Sequence, residues 1–342
     1  MGAADRVKVH SSIVSDETEL RGERVGGRRE GAGPNPFWER GLSVLLFLLT
    51  LLSTLTAGAL LRGVDPLGLE LQPVLGTTLW WPTRLAVGEL VEGAAFALPF
   101  MAILFLHEWG HRMAAGRHGV RTSPPFLIPF PPHVSVVGTL GGFIRMRSPV
   151  PSRRALLDIG LAGPLVSLIL SLPILALGIL LSAPAEVEAR QHLPFLIVFQ
   201  EIQIRLGEPL LVQGMLKILP VEAGGAALHL HPLAFAGWLG LMLTFLNLLP
   251  LARLDGGHIL HALHPGRQRW WARATVGIFL AMGFIWPGWW AWAALMFVMG
   301  RGRPLPTDSV PAEPAPTGGW RWVAWGVMVS VLLLLPPIPI SF

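Results

Sequence analysis

The chain is predicted to be an all-α polytopic membrane protein with six or seven transmembrane helices. Three observations lead there. Of its 342 residues, 52% are hydrophobic; only 14% are charged; and the apolar residues gather in long uncharged runs. Soluble domains carry about a quarter charged residues, and about 20 apolar residues are needed to cross a bilayer core.

Residues 1–40 are polar, rich in Gly and Arg, and end near Gly33-Pro-Asn-Pro36. They read as a flexible cytosolic tail, without the basic-then-apolar pattern of a cleaved signal peptide. The remainder, 41–342, reads as one transmembrane domain, with a core at about 85–265 and C-terminal helices at about 270–340. Its apolar runs are Gly41–Leu61, Gly93–His111, Ala155–Leu181, Leu233–Ala252 and Trp320–Leu335. Ala274–Gly300 reads either as one tilted helix or as two short ones turning at Trp286-Pro287-Gly288. Leu193–Phe199 and Leu210–Leu219 read as interfacial segments. Trp286, Trp289, Trp290 and Trp292 suggest an aromatic belt at the bilayer interface. The stretch from Phe126 through His133 to Met146 is rich in Pro, Gly and β-branched residues, so it is expected to form a small re-entrant β-hairpin, not a span.

Charge placement orients the runs. Arg21, Arg24, Arg28, Arg29 and Arg40 precede the first; Arg112, Arg117 and Arg121 follow the second; Arg253, Arg267, Arg269 and Arg273 follow the fourth. The acidic loop with Glu186, Glu188, Glu201, Glu208 and Glu222 lies between the third and fourth. By the positive-inside tendency the N-terminus is cytoplasmic, and the second and fourth runs end at one leaflet. Basic residues scattered through short loops argue against nucleic-acid binding. With no cysteine in the chain, disulfides and thiolate metal sites are excluded, and transition-metal ligands must be His, Asp or Glu.

The second run closes on His107-Glu108-Trp109-Gly110-His111. H-E-x-x-H on a helix places two imidazoles on one face, one turn apart, with a carboxylate beside them. Ionisable groups at membrane depth are costly and therefore functional candidates. The fourth run closes on Asn247-Leu-Leu-Pro250-Leu-Ala-Arg-Leu-Asp255-Gly-Gly257, which brings Asp255 to the same depth. Catalytic zinc commonly takes three protein ligands and a water. His107, His111 and Asp255 would supply them, with Glu108 as general base and the Asn247 amide as a donor to an oxyanion. For Asn247, helix packing is an equal reading. HExxH alone also arises by chance, and histidines at an interface can simply snorkel; that reading leaves Glu108 unexplained. Asp158 is expected to pair near the interface. His258, His261 and His264 read as a helix face, with His258 near enough to serve an oxyanion, and Gly163 and Pro164 read as packing and kink residues.

HEWGH together with NLLPLARLDGG resembles the site-2 protease family of intramembrane zinc metalloproteases, as does Ala162-Gly163-Pro164-Leu-Val-Ser167. The resemblance runs from the second apolar run to Gly257 and implies a three-helix catalytic core. It implies one zinc per chain on His107, His111 and Asp255, a catalytic Glu108, and substrates that are membrane-spanning segments of other proteins. Gly138 to Pro149 resembles the compact branch found in bacteria, archaea and chloroplasts; PDZ and CBS domains find no room, and a plasma-membrane location is expected. An extended substrate is expected to pair with the hairpin edge at Gly138, Gly141, Gly142 and Phe143. The bilayer is the expected environment; an oligomer or a regulatory membrane partner stays open. A metal transporter or a non-proteolytic membrane scaffold is the alternative, although a scaffold has no need of Glu108 and no inverted repeats favour a transporter.

Overall fold

The structure, a computed structural model, describes residues 36–74, 77–185, 195–220, 227–251, 254–300 and 316–341. The tail before residue 36, Glu186, Glu188, Glu222 and Arg253 lie outside the described residues. The chain divides into Met1–Gly41 and Leu42–Phe342, and the helices and strands that build the site belong to the second unit.

Among the described residues, three helices are long and apolar enough to cross a membrane: Phe37–Leu61, Val87–Arg117 and Arg153–Leu180. Shorter apolar helices cover Pro232–Asn247, Gly288–Val298 and Gly319–Leu334. The chain is a membrane protein, and its apolar surface is the expected consequence. Phe284 is 85% exposed and Ile169 68%, a pattern that lipid tolerates and water does not.

In order, α1 spans Pro36–Leu61, and the antiparallel pair β1 (Leu69–Val74) and β2 (Thr77–Pro82) follows. The short α2 (Val87–Leu90) continues through a 3-10 turn into α3 (Ala94–Arg117). Next come β3 (Phe126–Pro129), β4 (Thr139–Phe143) and the long α4 (Arg153–Leu180). Then follow β5 (Ala183–Ala185), β6 (Phe195–Phe199), β7 (Ile202–Leu206), α5 (Leu210–Ile218) and β8 (Ala227–His229). The chain goes on through α6 (Pro232–Asn247), α7 (Asp255–Leu263), α8 (Gln268–Met282), α9 (Gly288–Gly300), α10 (Gly319–Leu334) and β9 (Ile340–Ser341).

Helices dominate, but the all-α expectation needs correction. A five-stranded sheet of order β5-β8-β6-β7-β9 fills the region between α4 and α6 and takes in the last strand. Phe195-Leu-Ile-Val-Phe199, read as part of an interfacial segment, is its buried strand β6; five apolar residues are too few for a stable helix but suit a strand covered on both faces. Gln200 and Glu201 take positive φ in the tight turn to β7. The fourth apolar run is helical only to Asn247, because Pro250 cannot extend the ladder. The 274–300 segment is two helices that turn at Gly283–Pro287. Trp289 does not belong to an interfacial belt: it is 1% exposed, packs on Phe245 and Phe279, and its indole donates to Pro337 O at 2.9 Å.

Helix α4 is the central strut and packs against α3, α6 and α7. Small residues permit this. A Cβ at Gly237 would lie 2.5 Å from Leu175 N, so α4 and α6 meet at backbone distance. Likewise a Cβ at Gly110, inside the HEWGH segment, would lie 3.0 Å from Ala162 O of α4.

Candidate metal centre

Helix α3 places His107 and His111 one turn apart with their rings nearly edge-on, at 79°. Both are buried, at 2% and 6% exposure. Each ring is oriented by its Nδ1. That of His107 lies 2.8 Å from Ser167 Oγ, and that of His111 donates to Ile159 O at 2.7 Å. Such outer hydrogen bonds fix the tautomer and leave Nε2 as the free lone pair. The two Nε2 atoms accordingly converge to 3.1 Å. Both partners come from α4. Pro164 lies in the same stretch of α4 and leaves the Gly160 carbonyl without its intrahelical donor.

Asp255 arrives from the other end of the sequence as the first residue of α7, where the helix dipole favours a carboxylate. Its Oδ2 is 3.3 Å from His107 Nε2 and its Oδ1 is 3.3 Å from His111 Nε2. The backbone folds back sharply to put it there: a Cβ at Gly256 would overlap the Leu248 carbonyl.

These three side chains form a group whose ligand atoms lie within 4.8 Å of one another. Donors around a tetrahedral zinc at about 2.0–2.1 Å stand about 3.3 Å apart, so the observed spacing fits that ion. A second observation agrees. A Cβ at Gly163 would overlap His111 Nε2 and lie 2.8 Å from His107 Nε2, so the glycine keeps the ligand space open. Gly163 is thus more than the packing residue expected from sequence.

Glu108 lies beside the centre and is buried, at 7% exposure. Strand β4 covers it: a Cβ at Gly142 would sit 3.2 Å from Glu108 Cγ. β4 pairs antiparallel with β3, Phe126 opposite Phe143 and Leu127 opposite Gly142, and Gly138 and Gly141 have φ of 75° and 101°. Leu140 and Phe143 are exposed. Both ends of β3 are tied to α1, where Ser43 Oγ donates to Pro125 O at 2.5 Å and Ser53 Oγ donates to Phe130 O.

Asn247, the last residue of α6, puts its amide nitrogen 3.3 Å from His107 Nε2. The other candidates fall as follows. Asp158 pairs with His118 at 2.9 Å and with Arg154 at 2.9 Å, away from the three ligands. His258, His261 and His264 are all half-buried, on α7 and directly after it. His258 Nδ1 is buried without a partner among the described residues, whereas His261 Nδ1 lies 3.0 Å from Gln268 Oε1. His231 caps the start of α6, the end opposite Asn247, and its pKa is lowered by burial and by Arg62. His133 lies in the β3–β4 loop, where partial burial holds its pKa below the usual histidine value. Sequence reasoning missed the roles of Ser167, Ile159 and Gly163; the Ala162–Ser167 segment held the signal for two of them.

Two imidazoles and a carboxylate on one point, with a glutamate one residue from the first ligand, define the metallopeptidase class of site. Residues 95–285 match Peptidase family M50, and the chain belongs to that family. It is similar to the probable zinc metalloprotease EGY1, chloroplastic, of Oryza sativa subsp. japonica, 33% identical over 245 residues, 68% of this chain and 40% of that protein. The Arabidopsis thaliana protein of the same name is 31% identical over 233 residues, covering 66% of this chain and 40% of the relative. The probable zinc metalloprotease EGY3, chloroplastic, of Oryza sativa subsp. indica is 31% identical over 253 residues, 70% and 41% of the two chains. The chain therefore spans about two fifths of the length of the curated relatives it matches.

Proposed function

We propose that the chain is a zinc-dependent intramembrane endopeptidase that hydrolyses a peptide bond in a membrane-spanning segment of a substrate protein. The observation that carries this is the meeting of His107, His111 and Asp255 around one point, with both histidines on a helix apolar enough to cross the bilayer. His107, His111 and Asp255 hold the metal. Zinc, when bound, supplies Lewis acidity towards water and the scissile carbonyl. Glu108 takes the proton of the attacking water and returns it to the leaving amine. The Asn247 amide donates to the oxyanion as charge develops on the carbonyl oxygen.

A helical substrate shields its own peptide bonds, so it must be extended before attack. The β3–β4 pair is the reading's re-entrant hairpin. Its free β4 edge, at Gly138, Gly141, Gly142 and Phe143, pairs with the extended segment and delivers it over Glu108. The arginine distribution sets the N-terminus in the cytoplasm and the metal centre towards the cytoplasmic leaflet. Six or seven of the apolar helices cross the bilayer, with residues 1–40 a cytosolic tail.

The test is Glu108→Gln in detergent or liposomes. Zinc content is expected to stay near normal while cleavage of a model membrane substrate falls by at least 10³-fold, the scale for losing a proton-transfer group together with water activation. Retained cleavage excludes Glu108 as the base. Metal flux across liposomes independent of any substrate protein would replace the protease by a transporter.

A further inference from the structure

Helix α4 contributes none of the three ligands, yet it holds the two histidines through Ser167 and Ile159. Its first residue reaches the third. Arg153 is 9% exposed, and its guanidinium donates to the Ala262 carbonyl at 2.9 and 2.6 Å and to the Leu263 carbonyl at 3.1 Å. Ala262 and Leu263 end α7, the nine-residue helix that Asp255 begins.

A helix this short is marginal alone, and its last carbonyls have no intrahelical donors. A buried cationic fork satisfies two of them and complements the negative end of the dipole. Gln268 adds a second tie, its amide donating to Gly257 O at 3.2 Å.

We infer that Arg153 is a positioning residue for the metal centre: by fixing the end of α7 to the start of α4, it sets the Asp255 carboxylate against the two imidazoles. The inference rests on the metal-centre reading above. Metal–ligand distances tolerate about 0.2 Å. With a rise of about 1.5 Å per residue α7 is about 13 Å long, so a tilt of about 1° moves Asp255 by that much. A lysine offers one point charge where the fork bridges two carbonyls, so it restores only part of the hold.

The test uses the full chain in detergent. It measures zinc affinity by chelator competition and the visible spectrum of the cobalt-substituted protein for the wild type, Arg153→Met, Arg153→Lys and, as control, Arg154→Met. Arg154 is half exposed and pairs with Asp158. The expected result is a tenfold to hundredfold loss of zinc affinity and an altered cobalt spectrum in Arg153→Met, the usual scale for outer partners of ligands. Arg153→Lys should fall between, and Arg154→Met should match the wild type. Wild-type affinity and spectrum in a folded Arg153→Met chain, even one with a lowered melting temperature, overturn the inference. If that variant does not fold, Arg153→Lys decides by the same two readouts. A wild-type chain that binds zinc no better than His107→Ala sinks the metal-centre reading, and this inference with it.

Discussion

Gly163 shows how one side-chain choice controls the centre. An α4 residue with any Cβ would occupy the space into which both Nε2 atoms project. Gly163→Ala is therefore expected to lose zinc binding by more than tenfold while the helices stay folded, checked by chelator competition alongside circular dichroism. Zinc bound at wild-type affinity would show that the rings have room to retreat. Ser167→Ala tests the neighbouring contact. It removes the polar partner of His107 Nδ1 and should weaken zinc tenfold to a hundredfold, leaving His111 and its backbone carbonyl partner untouched. The convergence of the three side chains was legible in the sequence, because His107 and His111 are tied by helical spacing and Asp255 is marked by its Gly-Gly turn. Their supports were not. Ser167, Ile159, Gly163 and Arg153 act across helix interfaces: the Ala162–Ser167 segment marked two of them as belonging to a motif, but no local pattern tells a ring-holding residue from ordinary packing.

Among the elements, the β3–β4 pair carries the most specific consequence. Gly142 lies against both Glu108 Cγ and Leu127 Cδ2, so the strand has no space for a side chain at that position. Gly142→Val is expected to force β4 off the catalytic helix and to cut cleavage of a membrane substrate at least tenfold. Zinc affinity should change little, since the three ligands belong to α3 and α7. Replacing Gly141 and Gly142 by Pro should have the same effect by blocking the edge; unchanged cleavage would mean that substrate does not pair there. The long helices could be read from composition, since uncharged runs of span length have few alternatives. The five-stranded sheet could not. Its strands are two to five residues long, β6 pairs in parallel with β8 across a distant connection, and β9 joins from the far end of the chain. Pairing between such remote short segments leaves no periodic signature.

At the scale of the whole molecule, the metal centre joins the two ends of the core, since α3 and α7 are distant in sequence and meet at one point held by α4. An ion that binds the folded chain and not the unfolded one raises stability by RT ln(1 + [L]/Kd), about 2.7 kcal/mol at a hundredfold excess over Kd. For a chain of this size that corresponds to a rise in melting temperature of roughly 4 °C. Zinc added to the chelator-stripped protein in detergent should produce that rise, and Asp255→Ala should abolish it. Glu108→Gln should keep it, because Glu108 is not among the three converging ligands. The contrast separates two functions that lie on neighbouring residues of α3. On the proposed function the three converging residues act on both stability and chemistry, the glutamate on chemistry alone. A shift that survives Asp255→Ala would place zinc elsewhere on the chain. A wild-type melting temperature indifferent to zinc would show that α3 and α7 are held together without it.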